Sequence, residues 1–495
     1  MPGLTSGLYV GLSGLQSQQS ALNVVGNNIA NVNTPSYSRQ QAVIASSQSL
    51  DQGGVYFGTG ADLTAVQGVR SQFLDMQIYQ ETSVGSGASD RYAGLSAVAT
   101  TLGDSSSAGL ATQIQNFFQS FQSLAAQPED SSLRTNVIGQ AQNMITTLQS
   151  QYQMLNGQRN TADQSVNNLV GEVNNLTSQI AKLNQTVSTE ITPGSQNAAR
   201  DQRTALTNQL AKLVGIHVNE SSDGSYQITL DSGAASLVNG NTAYQMSTTP
   251  SKALDGHYQV NVTMGGTVVD VTSKISNGSL GAQLDLRDNI YAGYQTQLDT
   301  LAAGIASQVN LQQRAGYGIS TTNPTLNHGT DFFQGGVAND ATTGLPSVAT
   351  ITPPSYKGMV NALSVNATLV TDPNLIATAG AANAVGDNTN ANALANLQFT
   401  GGTNAAGVVL GSAYSTVVGS LVGDVGTKVQ SLDNQSTTQQ NLVTALQSQR
   451  DSVSGVDLNE EAASMMSLQQ GYQASARFLS VINQLMQQLV TTLGQ

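Results

Sequence analysis

The sequence predicts an α+β, multidomain protein: terminal helices forming a coiled-coil-like core, a long-helix bundle inside them in sequence, and β-rich structure inserted at the centre. Three observations predict it. Apolar residues recur every seven positions at both chain ends, an unbroken stripe stepping by three and four runs from Ile138 to Val187, and the period changes to two at Ile216. These patterns mark helical seams, a long amphipathic helix and half-buried strands.

At the first end, Leu8, Leu15, Leu22 and Ile29 form one row, while Leu4, Val25 and Val32 form a second, interrupted by Gly11 and Gln18. A lone amphipathic helix of this length is marginal in water, because its stability comes from packing one face. The other end supplies a match. Leu458, Met465, Tyr472, Leu479, Met486 and Leu493 repeat every seven residues, with Glu461, Leu468, Ser475, Ile482 and Leu489 three positions on. Asp457 with Glu460 reads as a reciprocal capping pair, and Glu460 and Glu461 stand where the helix dipole favours negative charge. The expected axial assembly interface is therefore Leu8, Leu15, Leu22, Val25 and Ile29 with Leu458, Met465, Leu468, Tyr472, Leu479, Ile482, Met486 and Leu489. The breaks at Gly11, Gln18 and Ser475 are expected to let these helices slide, and leucine at all three to stiffen or block assembly.

After Arg39 the helical period is lost, and Gly53-Gly54, Gly58 and Gly60 with Val55-Tyr56-Phe57 read as an extended loop or ribbon. Helices follow from about 71 to 102 and 108 to 126, the second stopped by Pro128. The stripe from Ile138 has one member that is not apolar, Arg159. It predicts a helix roughly 75 Å long, and a stripe that narrow calls for another long helix beside it. Pro193-Gly194 ends it, and a shorter helix returns from about 197 to 214. Tyr226, Ile228 and Leu230 alternate after Asp223-Gly224, and Tyr258, Val260, Val262 and Met264 before Gly265-Gly266, which predicts hairpins. Residues 319–400 are rich in Gly, Asn, Thr and Ala, with mixed signals. Helical spacing resumes at Tyr414, and Val453-Ser454-Gly455 separates that helix from the terminal one. The expected division is 1–70 with 452–495 as a terminal core, 71–215 with 277–318 and 401–451 as a helical bundle, 216–276 as an inserted β domain, and 319–400 as a second insertion or extension.

Only 9% of the residues are charged, against roughly 25% in an ordinary soluble protein. Amide and hydroxyl surfaces can be buried against a neighbour without desolvating ions, which suits a packed polymer. A net charge of -13 without a basic cluster argues against nucleic acid and anionic membranes. The absence of cysteine excludes disulfides and thiolate chemistry. No apolar run approaches ~18 residues, the length of a membrane helix, and the opening residues have no secretory-signal pattern.

His217, His257 and His328 lack metal-ligand spacing, so they read as ordinary surface or loop histidines. Gly85-Ser86-Gly87-Ala88-Ser89 lacks the third glycine of a dinucleotide loop. Adjacent helical residues point about 100° apart, so Glu460 and Glu461 read as a helix start and not as an acid/base pair. No catalytic, metal or cofactor site is expected. A secreted hydrolase or adhesin with activity in 216–400 would need clustered ionisable residues there, and the sequence scatters them.

Ser13-Gly14-Leu15, Gln19, Ala21-Leu22, Asn27-Asn28-Ile29-Ala30-Asn31 and Thr34-Pro35 resemble the amino-terminal signature of the flagellar rod, hook and hook-associated axial protein family. Tyr37-Ser38-Arg39-Gln40, the stretch from Ser454 to Ala463, Gln469 to Ala476, and the mid-chain Leu284 to Asp288 resemble its hook-associated members more than hook or distal-rod proteins. The resemblance implies a non-enzymatic structural subunit of the bacterial flagellum at the hook–filament junction. It implies a ring of identical subunits, with hook protein on one side and a second hook-associated junction protein on the filament side. It also implies a dedicated export chaperone at the carboxy-terminal helix, and an extracellular destination reached without a cleaved signal peptide. The signature residues it carries over are Ser13, Gly14, Leu15, Asn28, Ile29, Ala30, Asn31, Thr34, Pro35 and Tyr37. Ser36 replaces the glycine usual before the tyrosine, and glycine is the residue that makes a left-handed turn cheap.

Overall fold

The computed structural model describes residues 2–52, 55–103, 109–189, 194–335, 357–400 and 413–493. Gly53-Gly54 and Pro193, together with the middle of 319–400, lie outside the described residues. The first seven-residue rows fold as one helix, α1 (Pro2–Ala30). An asparagine-rich turn ends it, in which Asn31 donates its N–H to the carbonyls of Asn27 and Asn28, both at 3.1 Å. Ser36 then takes φ 65°, so the left-handed turn forms without its glycine. That conformation costs an L-residue about 1–2 kcal/mol. Ser36→Gly is accordingly expected to stabilise the turn by about 1 kcal/mol, read as a higher urea midpoint at unchanged slope.

The predicted ribbon is a hairpin laid on α1. β1 (Gln40–Ser46) pairs antiparallel with β4 (Ala61–Gly68), and β2 (Leu50–Gln52) with β3 (Val55–Phe57) beyond them. Ser17 Oγ donates to Ala61 O at 2.6 Å, and Ala61 N donates to Ser13 Oγ at 3.2 Å.

Helices α2 (Gln72–Leu102) and α3 (Leu110–Ala126) precede α4 (Ser131–Thr189), whose 59 residues make it about 90 Å long. α5 (Ser195–Leu213) folds back along its far end. The hairpins form two sheets: β5 (Ile216–Glu220), β6 (Tyr226–Leu230), β7 (Ser236–Asn239) and β8 (Thr242–Ala243), then β9 (Gln245–Pro250), β10 (Tyr258–Met264) and β11 (Thr267–Asp270). α6 (Gly278–Asp285) passes through a π-turn, Leu286–Ile290, into α7 (Tyr291–Ala315). β12 (Phe333–Gln334), α8 (Met359–Ala362), β13 (Ser364–Val365), α9 (Ala367–Thr371) and α10 (Thr389–Thr400) fill the stretch that sequence left unassigned. α11 (Tyr414–Ser454) runs antiparallel to α2, with Gln439 over Gly85 and Val422 over Gly103, and α12 (Leu458–Leu493) completes the described chain.

Among the described residues no single long helix accompanies α4. Shorter elements cover its stripe instead: α3 and α7 towards the start, α6 and the π-turn in the middle, α5 and both sheets at the far end. Among the described residues two apolar cores result. The first gathers Phe117, Phe118, Phe121, Phe332, Phe333 and Tyr414 around the first half of α4. The second joins Val166, Val173 and Ile180 of α4 to Leu210, Ile228 and Val260. Arg159, the one charged member of the stripe, lies between them, donating to Arg287 O and Gln295 Oε1, each at 3.0 Å. Fully buried Arg134 ties the 372–378 stretch to the first core, donating to Ile376 O at 2.6 Å and Thr378 Oγ1 at 2.9 Å. Burial lowers its pKa to about 10.

Candidate assembly interface

The two seams meet inside one chain. α1 and α12 run antiparallel, with Gly7 opposite Ile482, Gly11 opposite Leu479, Gly14 opposite Ser475 and Gln18 opposite Gly471. A Cβ on Gly11 would stand 2.7 Å from Leu479 Cγ, and one on Gly7 3.1 Å from Ile482 Cδ1. At Gly11, Gln18 and Ser475, where the sequence is expected to let the helices slide, the two helices are in contact. Leu479 sits over Gly11, while Ser475 and Gln18 are themselves seated over Gly14 and Gly471 of the opposite helix.

Val25 is buried in the pair, and Leu8, Leu15, Leu22 and Ile29 are half-buried. Met465, Leu468, Leu479, Ile482, Met486 and Leu489 are also half-buried, whereas Leu458 and Tyr472 are exposed. Sequence reasoning missed a second row. Phe478, Val481 and Leu485, at i, i+3 and i+7, are 43%, 52% and 46% exposed, and Tyr9 of α1 is exposed as well. The signal was present as three-and-four spacing, one helical face away from the seven-residue row.

The amino-terminal signature makes physical sense at the other end of the pair. Asn28 is fully buried, and all its hydrogen-bonding capacity is used. Its Nδ2 donates to Glu461 Oε1 at 3.0 Å and Gln40 O at 2.8 Å, while its Oδ1 accepts from Tyr37 Oη and Gln40 N, both at 2.9 Å. One side chain thus fixes α1, the turn, β1 and α12 to each other. Burial, then Asp201 and Glu461, push the Tyr37 hydroxyl up to about 12. Thr34 Oγ1 donates to Asn31 Oδ1 at 3.2 Å, and Asp457 Oδ1 accepts Asn459 N at 2.7 Å as the expected cap. Glu460 departs from the reciprocal box: its carboxylate forms an ion pair with Arg39 at 2.5 Å, holding α12 to the ribbon.

The same corner joins the body of the molecule. Arg39 N donates to Ser454 O at 2.8 Å, Ser38 N to Asp201 Oδ2 at 3.3 Å, and Arg70 pairs with Asp75 at 3.5 Å. Burial raises the pKa of both Asp201 and Asp75 above 3.8. A raised folded value means the folded state holds its proton more tightly. The contribution of these acids is fully present below the ordinary carboxylate value and is lost as pH rises through the folded one. The joint is expected to be firmer in mild acid than at neutrality. Asp201→Asn keeps an acceptor for Ser38 N–H and should flatten that dependence, measured as urea midpoints from neutrality into the carboxylate range.

A cleft of about 570 Å³ between the second sheet and α6 has a polar wall that includes Arg91, Asp270, Asp285 and Asp288. Its groups are occupied with each other, Arg91 bonding Asp285 Oδ2 and Ser276 O at 2.7 Å each. Nδ1 of His257 and of His328 meet the carbonyls of Leu254 and Gly316. Among the described residues no group of three His, Cys, Asp or Glu could hold a metal ion, and no helix is long and apolar enough to cross a membrane.

Family models match three stretches: the flagellar hook-associated protein FlgK helical domain over residues 95–333, the flagella basal body rod protein over 8–37, and the flagellar basal body rod FlgEFG protein C-terminal region over 447–492. The chain is 30% identical to flagellar hook-associated protein 1 of Escherichia coli K12, over 97% of this chain and 98% of that one. It is 25% identical to the protein of the same name from Bacillus subtilis, over 99% and 98%. In fold it is similar to the flagellar hook junction protein FlgK from Burkholderia pseudomallei, with a TM-score of 0.62 at 19% identity, covering 76% of this chain and all of the other.

Proposed function

The chain belongs to the flagellar hook-associated protein 1 family and is a structural subunit of the bacterial flagellum at the hook–filament junction; from that premise we propose that it polymerises through its paired terminal helices. One observation carries this. α1 holds no charged residue, and α12 holds none beyond Glu461 except Arg477, yet the pair presents Tyr9, Phe478, Val481 and Leu485 to solvent. An apolar row on a neutral helix pair is stable when another surface covers it.

Copies of the chain form a ring, with Leu8, Leu15, Leu22, Val25 and Ile29 setting α1 against Met465, Leu468, Leu479, Ile482, Met486 and Leu489, and with Leu458 and Tyr472 facing neighbours. One face of the ring meets hook protein and the other a second hook-associated junction protein. Before assembly, an export chaperone covers the α12 row, and the flagellum's own apparatus carries the chain outside. The terminal core of 1–70 with 452–495 makes the axial wall, while the helical bundle, the β insertion of 216–276 and the 319–400 extension stand outward. Neither apolar core includes a residue of 1–70 or 452–495, which supports setting the terminal pair apart from the body, where the cores join the bundle to the 319–400 stretch and to the β insertion; the role is mechanical, without catalysis.

Removing residues 1–40 or 456–495 tests the reading. The truncated chains are expected to be absent from hook ends and to leave cells without filaments. Truncated protein that still occupied hooks and recruited filament would overturn it.

A further inference from the structure

The charges of α12 stand at two heights only. Glu460 and Glu461 open the helix, and Arg477 is its one basic residue, about 26 Å further along at 1.5 Å per residue. Beside the acids lies a notch of about 290 Å³ between α1, β1 and α12, with Val24, Ala42, Ile44 and Leu468 as its apolar wall and Arg39, Glu460 and Glu461 as its polar one. Two carboxylates against one guanidinium leave it net negative. Its volume falls below the ~300–1,000 Å³ of ordinary ligand pockets, and suits one or two side chains. At the other height, Arg477 is followed by Phe478, which is exposed.

We infer that the notch receives Arg477 and Phe478 of a second copy of this chain, with the guanidinium set against Glu460 and the ring against Ala42 and Ile44. The same copy cannot supply them, because notch and pair are separated along one continuous helix. The charges are complementary, the mixed wall matches a residue pair that is cationic at one position and aromatic at the next, and Phe478 heads the exposed row it shares with Val481 and Leu485. Different patches meeting make a heterologous contact, which repeats from copy to copy and closes into a ring when the rotation allows. This inference rests on the polymerisation reading and names which residues meet within it.

The chain has no cysteine, so introduced thiols report alone. Gln41 and Val481 are both exposed, the first on the wall of the notch and the second one turn from Phe478. In hook ends isolated from cells making only Gln41→Cys/Val481→Cys protein, a short bifunctional thiol reagent is expected to give a ladder of covalent oligomers. Each single variant should give none. Adding Phe478→Ser should lower the yield by about tenfold or more, since burying an aromatic ring is worth more than the 1.4 kcal/mol of one decade. Antibody labelling of hook ends reads polymerisation separately. Protein present at hook ends but not linked copy to copy overturns the notch and leaves polymerisation standing, as does linkage only to hook or filament-side protein. If the double variant fails to reach hook ends, Gln41→Cys with Gln484→Cys, another exposed position of α12, repeats the measurement.

Discussion

Replacing Gly11 with leucine is expected to force α1 and α12 apart, destabilise the terminal pair by about 3 kcal/mol, and leave hooks without filaments. The reason is steric. Even a single Cβ at this position would lie 2.7 Å from Leu479 Cγ, 2.9 Å from its Cδ2 and 3.1 Å from Phe478 Cδ1. Leu479 can clear the gap only by a change of χ1, because its branch point and not just its tip is in the way. Alanine at position 11 should cost about 1 kcal/mol by turning Leu479 to another rotamer; leucine adds three more carbons to the same gap. Urea denaturation followed by helical circular dichroism measures the loss, and filament counts measure its consequence. The double variant Gly11→Leu/Leu479→Ala exchanges knob and hole across the seam. Recovery of at least half the lost stability in that variant would show coupling between the two positions. Equal losses in the single and double variants would place the damage elsewhere in α1.

This prediction also shows where sequence reading stopped. The heptad rows located both terminal helices and the short break at Gly455, and the change of period at Ile216 located the hairpins. Periodicity reports which face is apolar, but not how near the opposing backbone stands. Gly11 and Ser475 therefore read as gaps when they are contacts. The same limit acts along α4. The stripe continued through Leu169, Leu176 and Leu183, which are half-buried, whereas Val170, Thr177 and Asn184 are buried. A real helix drifts relative to any fixed repeat, and the buried face passed onto polar residues that sequence could not mark as inward. Asn184 earns its place by bonding: it donates to Tyr226 O and Gly240 O at 2.9 and 2.7 Å and accepts from Arg203 Nη1 at 2.8 Å. The stretch from 319 to 400 was illegible for a related reason. Its described part is built from short helices and strand pairs held by side chain to backbone bonds, such as Asn310 Nδ2 donating to Phe333 O at 2.9 Å, and such bonds leave no period.

Between the two cores, Arg287→Met is expected to cost about 3–5 kcal/mol and to split unfolding into two steps. Arg287 is fully buried at the π-turn. Its Nη1 donates to Asp163 Oδ1 at 2.6 Å and Tyr258 O at 2.7 Å, and its Nη2 to Asp288 Oδ2 at 2.7 Å. One guanidinium thus holds α4, the second sheet and the π-turn together at the level where the apolar clusters part. Methionine fills the volume but leaves Asp163 with a charge and only Tyr258 N, at 2.8 Å, still donating to it. Lysine restores the charge but is a point donor that cannot span three acceptors on separate elements, so Arg287→Lys should recover less than half the loss. With the bridge removed, each core retains its own apolar contacts, and the side-chain tie through Arg287 no longer couples their melting. Hydrogen exchange should then show the amides of β5 to β11 opening at lower free energy than those of α3 and α7, where the intact chain opens both together. A single cooperative transition in Arg287→Met would mean that the continuous backbone of α4, and not the arginine, transmits stability between the cores.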